Sequence, residues 1–333
     1  MNLQIAASPH LKHADSTERI MWSVVIALLP VIGGAVWFFG IGALLVVLTT
    51  TIAAVLTERA FGPGGTLRDG SAAITGLLLG LTLPPGFPMW MAFIGGAIAI
   101  GVGKLVFGGL GQNVFNPALI GRAFLQAAFP TAITTWPVVS QGWTSTYASN
   151  FAIPFAQANT ADVITAATPL GLMKFEQTAT NAASLFMGSV GGSIGETSAL
   201  LILIGGAYLA YKRYLDWRIP VSILATVAVF ATLLHTIDAQ KFADAPFMLF
   251  SGGLMLGAVY MATDMVTSPI THKGAWIFGI GIGLLVVLIR VWGGLPEGVM
   301  YAILLMNAVT PAINRLTQPR VFGAVREKKV AAV

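Results

Sequence analysis

Cysteine is missing from this 333-residue chain, histidine occurs four times, and charge is scarce. Without thiols there is no disulfide and no iron–sulfur cluster held by thiolates, so any redox centre must rest on other groups. His10, His13, His235 and His272 fall outside or at the ends of apolar runs, which argues against a haem held between facing histidines. Charged residues make up 9% of the chain, against roughly 25% in an ordinary soluble domain. What fills their place is apolar: 56% of residues, with a mean hydropathy of +0.81. That composition is an all-α polytopic membrane protein, not a soluble enzyme. The net charge of +5 would suggest an anionic partner in a soluble chain. Here the basic residues lie between apolar runs, so they read as a topology signal and no nucleic-acid partner is expected.

Measured against the roughly 20 residues that cross a bilayer, the apolar runs predict about ten spans. They lie near 20–39, 41–57, 71–83, 88–107, 117–130, 197–211, 219–235, 246–262, 275–290 and 298–314, several of them short. The first nineteen residues lack an apolar core followed by a small-residue cleavage site, so no removable signal peptide is expected. With the N-terminus placed in the cytoplasm, fourteen Lys and Arg residues fall inside and only Lys174 and Lys241 outside. The bias predicts both termini cytoplasmic and residues 131–196 as one outer, periplasmic loop. Arg122 and Arg290 are left within or at the edges of spans. The loop is rich in Thr, Ser, Ala and Gly and nearly uncharged, which predicts short helical or re-entrant pieces packed on the outer face.

Gly76-Leu77-Leu78-Leu79-Gly80 recurs as Gly253-Leu254-Met255-Leu256-Gly257, and the same offset of 177 carries the first two spans onto the sixth and seventh. Five spans per copy is odd, so the second copy is expected to be inverted. The organisation read from this is an N-terminal five-span repeat (1–130), the outer loop (131–196), and a C-terminal five-span repeat with a cytoplasmic tail (197–333). In such proteins, spans interrupted at matching positions mark the central site. The matching pair is 71–83, ending in Pro84-Pro85-Gly86, and 251–262, running into Thr263-Asp264.

Five elements carry polar chemistry, each with a plainer structural reading beside it. Asn113 and Asn116, beside the glycines at 108–111, offer amide donors and acceptors suited to the edge of a heterocycle, while Asn116-Pro117 also reads as a helix cap and first turn. Arg122, inside a span, is a functional candidate unless it snorkels to the surface. Gly191-Gly192-Ser193-Ile194-Gly195-Glu196 leads into a helix, where free backbone N–H groups attract a phosphate and Glu196 alternatively complements the helix dipole. Asp264 is a carboxylate in a broken span, suited to ion handling or to a cap. No metal-ligand set is read from the sequence. Thr165 and Thr168, in Asp162-Val163-Ile164-Thr165-Ala166-Ala167-Thr168-Pro169, sit in the long loop, and Thr168-Pro169 fits a helix start.

The run Asp162-x-x-Thr165-Ala166-Ala167-Thr168 resembles the signal at which FMN is joined by a phosphoester to the last threonine, with Ala166 where glycine is usual. Together with Thr82-Leu83-Pro84-Pro85, Gly108 to Arg122, Gly192 to Glu196, Met261-Ala262-Thr263-Asp264 and Pro296-Glu297-Gly298, the chain resembles, end to end, the D subunits of the Rnf complex. That complex is the ion-translocating ferredoxin:NAD oxidoreductase of bacterial membranes. The related B subunit of the sodium-translocating NADH:quinone reductase shares some of these elements but usually carries a longer N-terminal extension.

The resemblance implies a urea-transporter-like fold of two inverted five-helix repeats in the bacterial inner membrane. It implies covalent FMN on Thr168, with Asp162, Thr165, Ser193 and Gly195 among the cofactor-binding residues, and a noncovalent riboflavin near Asn113 and Asn116, to which Arg122 is added as a neighbour. It also implies partners: the other Rnf subunits, including an outer-facing flavin-bearing G subunit, and a flavin transferase for maturation. The expected activity is electron relay coupled to Na+ or H+ movement, within an enzyme whose active site this chain does not complete alone. The rivals are a subunit of the quinone reductase and a urea-transporter-like channel.

Overall fold

In a computed structural model, residues 15–62, 66–137, 142–154, 167–196, 198–239 and 241–319 are described. Asp162, Thr165 and Ala166 of the threonine motif lie outside them, as do His10, His13 and the C-terminal tail. The described architecture is all-helical. Among the described residues, five helices are long and apolar enough to cross a membrane: α1 (Thr17–Phe39), α2 (Ile41–Phe61), α10 (Arg218–Ile237), α13 (His272–Trp292) and α14 (Val299–Thr317). Shorter helices also lie at the remaining expected spans: α3 (Ser71–Leu81), α4 (Met89–Ile100), α5 (Pro117–Ala128) and α9 (Ala199–Tyr211). The expected span 246–262 is broken into α11 (Ala245–Phe250) and α12 (Leu254–Leu256), the latter running on as a π-helical turn, Gly257–Met261. Between α5 and α9 lie short pieces: α6 (Pro130–Thr134), α7 (Pro169–Gly171), a π-helical turn at Leu172–Glu176 and α8 (Ala182–Met187).

Local chemistry starts these helices where capping residues stand. Ser16, Asn116, Thr168, Asn181, Ser198, Asp244 and Thr271 each accept an amide hydrogen bond from the first turn that follows. Large apolar side chains point outward from the long helices: Trp37, Ile52, Val229, Leu233 and Trp292 are all more than half exposed. Water would not tolerate so much contiguous apolar surface, whereas hydrocarbon does. The inward faces bury Leu28, Phe39, Leu79, Phe87, Phe247 and Phe278 in one core.

The two halves pack alike. In the first, α2 lies on α4 and α4 on α5; in the second, α10 lies on α13 and α13 on α14. The first helices of the two halves, α1 and α9, pack on each other, and Tyr260 of the broken span donates to the Ala27 carbonyl of α1 at 3.0 Å.

Candidate functional site at the broken helix

Breaking a helix between Phe250 and Leu254 strips partners from backbone groups on both sides. Arg290 of α13, 5% exposed, donates to the carbonyls of Met248 at 2.6 Å and Ser251 at 2.8 Å, completing the C-terminal side of the break. Glu297, in the segment joining α13 to α14, accepts the Gly253 amide at 2.8 Å and completes the other side. A cation thus faces the end of one half-helix and an anion the start of the next, the signs their dipoles favour. The other oxygen of Glu297 takes the guanidinium of Arg122 at 2.6 Å, tying α5 of the first half to the break in the second. Gly252 is at φ +65°, and a Cβ there would lie 2.5 Å from Leu170 Cδ1, so the turn after Thr168 sits directly on the break.

Above this floor opens a cavity of about 640 Å³. Its lining includes Thr168, Trp136, Phe175, Arg122, Glu196 and Glu297. Thr168 also caps α7, accepting the Gly171 amide at 3.1 Å. Lys174, from the next turn, donates to the carbonyls of Arg290, Gly293 and Leu295 at 3.1, 2.6 and 2.9 Å, closing the end of α13; burial lowers its pKa. Of the glycine-rich lead into α9, Gly191, Gly192 and Glu196 reach the cavity, while Ser193 and Gly195 are buried and do not line it.

A second, smaller cavity of about 100 Å³ meets the far end of the broken span at Thr263, Asp264 and Val266, and Asn113, Asn116 and Lys104 also line it. Asn116 is fully engaged: its oxygen caps α5 at Ala118 and Leu119, and its Nδ2 donates to the Met261 carbonyl at 3.1 Å. Asn113 Nδ2 donates within its own loop, to Phe115. Asp264 accepts from the Val266 amide at 3.3 Å and the Thr267 hydroxyl at 3.2 Å. Lys104, which the sequence counts among the inside charges, is instead 2% exposed and donates to Glu58 and Ser71, both at 2.6 Å.

The cavities therefore divide the candidate residues in a way spacing does not reveal. Arg122 joins Thr168 in the larger one rather than Asn113 and Asn116 in the smaller, because α5 runs from one to the other and six residues of helix carry a side chain roughly 9 Å. The ligands of the break, Arg290 and Glu297, are not singled out by the motifs. The signal that points to Arg290 is its charge at the edge of a span, and Glu297 lies in the Pro296-Glu297-Gly298 element of the resemblance.

Residues 4–323 match the family model described as the NQR2, RnfD, RnfE family. The chain belongs to this family. Among curated members, it is 45% identical to the D subunit of the proton-translocating ferredoxin:NAD(+) oxidoreductase complex of Clostridium ljungdahlii, over 97% of this chain and 96% of the relative. It is 43% identical to the D subunit of the Na(+)-translocating ferredoxin:NAD(+) oxidoreductase complex of Acetobacterium woodii, over 99% and 98%. With the D subunit of the ion-translocating oxidoreductase complex of Stutzerimonas stutzeri the identity is 44%, over 93% of each. The resemblance to Rnf D subunits read from the motifs is thus shown across nearly the whole chain. Family membership and the apolar helices together make this a multi-pass membrane protein. Relatives of similar identity are named for different ions, so likeness to them does not select Na+ or H+.

Proposed function

We propose that this chain is the flavin-carrying membrane subunit of an ion-translocating ferredoxin:NAD oxidoreductase, with FMN joined through a phosphoester to Thr168. The observation that carries the reading is that Thr168 borders a cavity of about 640 Å³ floored by the Arg122–Glu297 pair and the helix break. The volume is within the 300–1,000 Å³ of small-molecule sites, with Trp136 and Phe175 to flank a planar ring and Arg122 to face an anionic group. The residues present fit the group. Bound FMN would supply reversible uptake of electrons. The chain's part is to hold it: Thr168 anchors, the aromatic side chains exclude water, and the α7 turn rests on Gly252 of the break.

Ten spans in two inverted repeats, both termini cytoplasmic and 131–196 periplasmic, form the topology of this reading. Its support is the distribution of basic residues in the sequence, 13 to 2 once the buried Lys104 is set aside, and the like packing of the two halves. Partners would be the other members of the complex, an outer-facing flavin-bearing subunit nearest Thr168, and a flavin transferase for maturation. Coupling requires that an ion bind one redox state of the protein better than the other, and the broken span, reaching from the Thr168 cavity to Asp264, is the element both could bias. For a noncovalent riboflavin the supporting residue is Asn113. The cavity there, about 100 Å³, is smaller than ring-binding sites, so occupancy would require it to widen. The test is a mass spectrum of the peptide containing Thr168 from the membrane-expressed protein: the mass of FMN less water supports the assignment, and an unmodified peptide from cells with an active transferase ends it.

A further inference from the structure

Four charged side chains converge beneath the Thr168 cavity from four different segments: Arg122 from α5, Arg290 from α13, Glu297 from the loop after α13, and Glu196 from the turn before α9. The two carboxylates are in contact. A Cβ placed on Gly253 would meet Glu297 Oε1 and, 3.1 Å away, Glu196 Oε1, so only a glycine leaves room for both oxygens at that point. Glu297 is fully committed as an anion, with one oxygen on Arg122 and the other on the Gly253 amide. Glu196 is not. Its Oε2 takes the Ser193 amide at 3.4 Å, and its Oε1 is buried against Glu297 with no donor. Two ionised carboxylates cannot share such a spot, and a proton on Glu196 turns the contact into a hydrogen bond.

We propose that Glu196 and Glu297 form a proton-binding site that holds one exchangeable proton, on Glu196, at the floor of the Thr168 cavity.

Both residues lie in connecting segments rather than in the spans. Burial, then the neighbouring Glu297, pushes the Glu196 carboxyl up to about 8. Burial is the largest influence on Glu297 and opposes its ionisation, but Arg122, the Glu196 contact, the Gly253 amide and Arg290 together outweigh it and hold that carboxyl below the usual carboxylate range. The asymmetry follows from geometry: Arg122 pairs directly with Glu297, and Arg290 spends its hydrogen bonds on the carbonyls of Met248 and Ser251. The other charged groups near the site, Lys174 and Glu176, come from the turn after α7; Lys174 is occupied by three carbonyls and Glu176 lines the cavity. With the proton bound, the four-residue cluster carries one net positive charge; with it lost, none. Glu196 borders the cavity, so negative charge gained there would draw the proton in and its loss would release it, with a proton as the only species exchanged. The inference stands on the carboxyl contact and does not require the flavin reading.

The test is infrared difference spectroscopy of the full-length purified protein as pH is stepped from neutral to alkaline. A protonated-carboxyl band that disappears reversibly is expected in the wild type and in Asp264→Asn, and is expected to be missing in Glu196→Gln, whose amide reproduces the hydrogen bond to Glu297. The same band is expected in Thr168→Val, so a failure of the attachment assignment leaves this result readable. A wild type with no titrating carboxyl band, or a band that survives unchanged in Glu196→Gln, overturns the proposal. If Glu196→Gln does not fold, isotope editing of glutamate in the wild type decides instead: a band that fails to shift with the label overturns it.

Discussion

Arg122 in the first half of the chain and Glu297 in the second, 175 residues apart, meet at 2.6 Å, and Glu297 passes the contact on to the Gly253 amide at the helix break. Removing one partner of such a pair leaves the other charge buried without compensation, which costs about 3 kcal/mol. Arg122→Leu is expected to lower stability by that order in a denaturant titration in detergent. Arg122→Leu combined with Glu297→Leu should cost less than the sum of the singles. Strict additivity in that cycle would mean the pair does not join the halves.

Gly252 tests whether the Thr168 turn rests on the break. Its positive φ and the Leu170 side chain 2.5 Å from a would-be Cβ leave no room for alanine. Gly252→Ala is expected to cost about 1–3 kcal/mol. It should also speed proteolytic cleavage near residues 167–171, because Leu170 is displaced from its seat. An unchanged cleavage rate would detach that turn from the broken helix.

Thr168→Val keeps the size and β-branch of the side chain but removes the hydroxyl that would carry the phosphoester. In-gel flavin fluorescence of the denatured protein should vanish. The variant also loses the cap to Gly171, worth about 1 kcal/mol, so it should still fold. Full fluorescence would place the attachment elsewhere.

Stability should fall as pH rises from the acid range to about 8. A carboxyl raised in the folded state from 4.5 to about 8, as burial and Glu297 raise Glu196, binds more proton folded than unfolded across that interval. Its stabilising contribution is complete below the unfolded value and is lost as pH rises through the folded one. The unfolding temperature of the wild type should therefore decline across the window, and Glu196→Gln should decline less. Equal slopes would remove Glu196 from the titration.

The helical segments themselves were legible in the chain because what forms them is local. An apolar run of given length, Asn116 before Pro117, Thr271 ahead of α13 and Asp244 before Pro246 each act within a turn or two, and the caps stand where those residues stand. Membrane class needed only composition, since a chain with 9% charge has too few polar side chains to clothe a soluble domain of this size. Side-chain partnership is another matter. Lys104 reads as one more surface charge until Glu58 and Ser71 are found around it, and Arg122 reads as a neighbour of Asn116 until α5 carries it into the other cavity. The resemblance singled out Thr168 and its motif, but no periodicity links residue 168 to Gly252, or 122 to 297. Those contacts exist because burying the broken span brings together segments distant in sequence, and the backbone groups freed at the break are satisfied by whichever charges the packing delivers to them: Arg290 and Glu297.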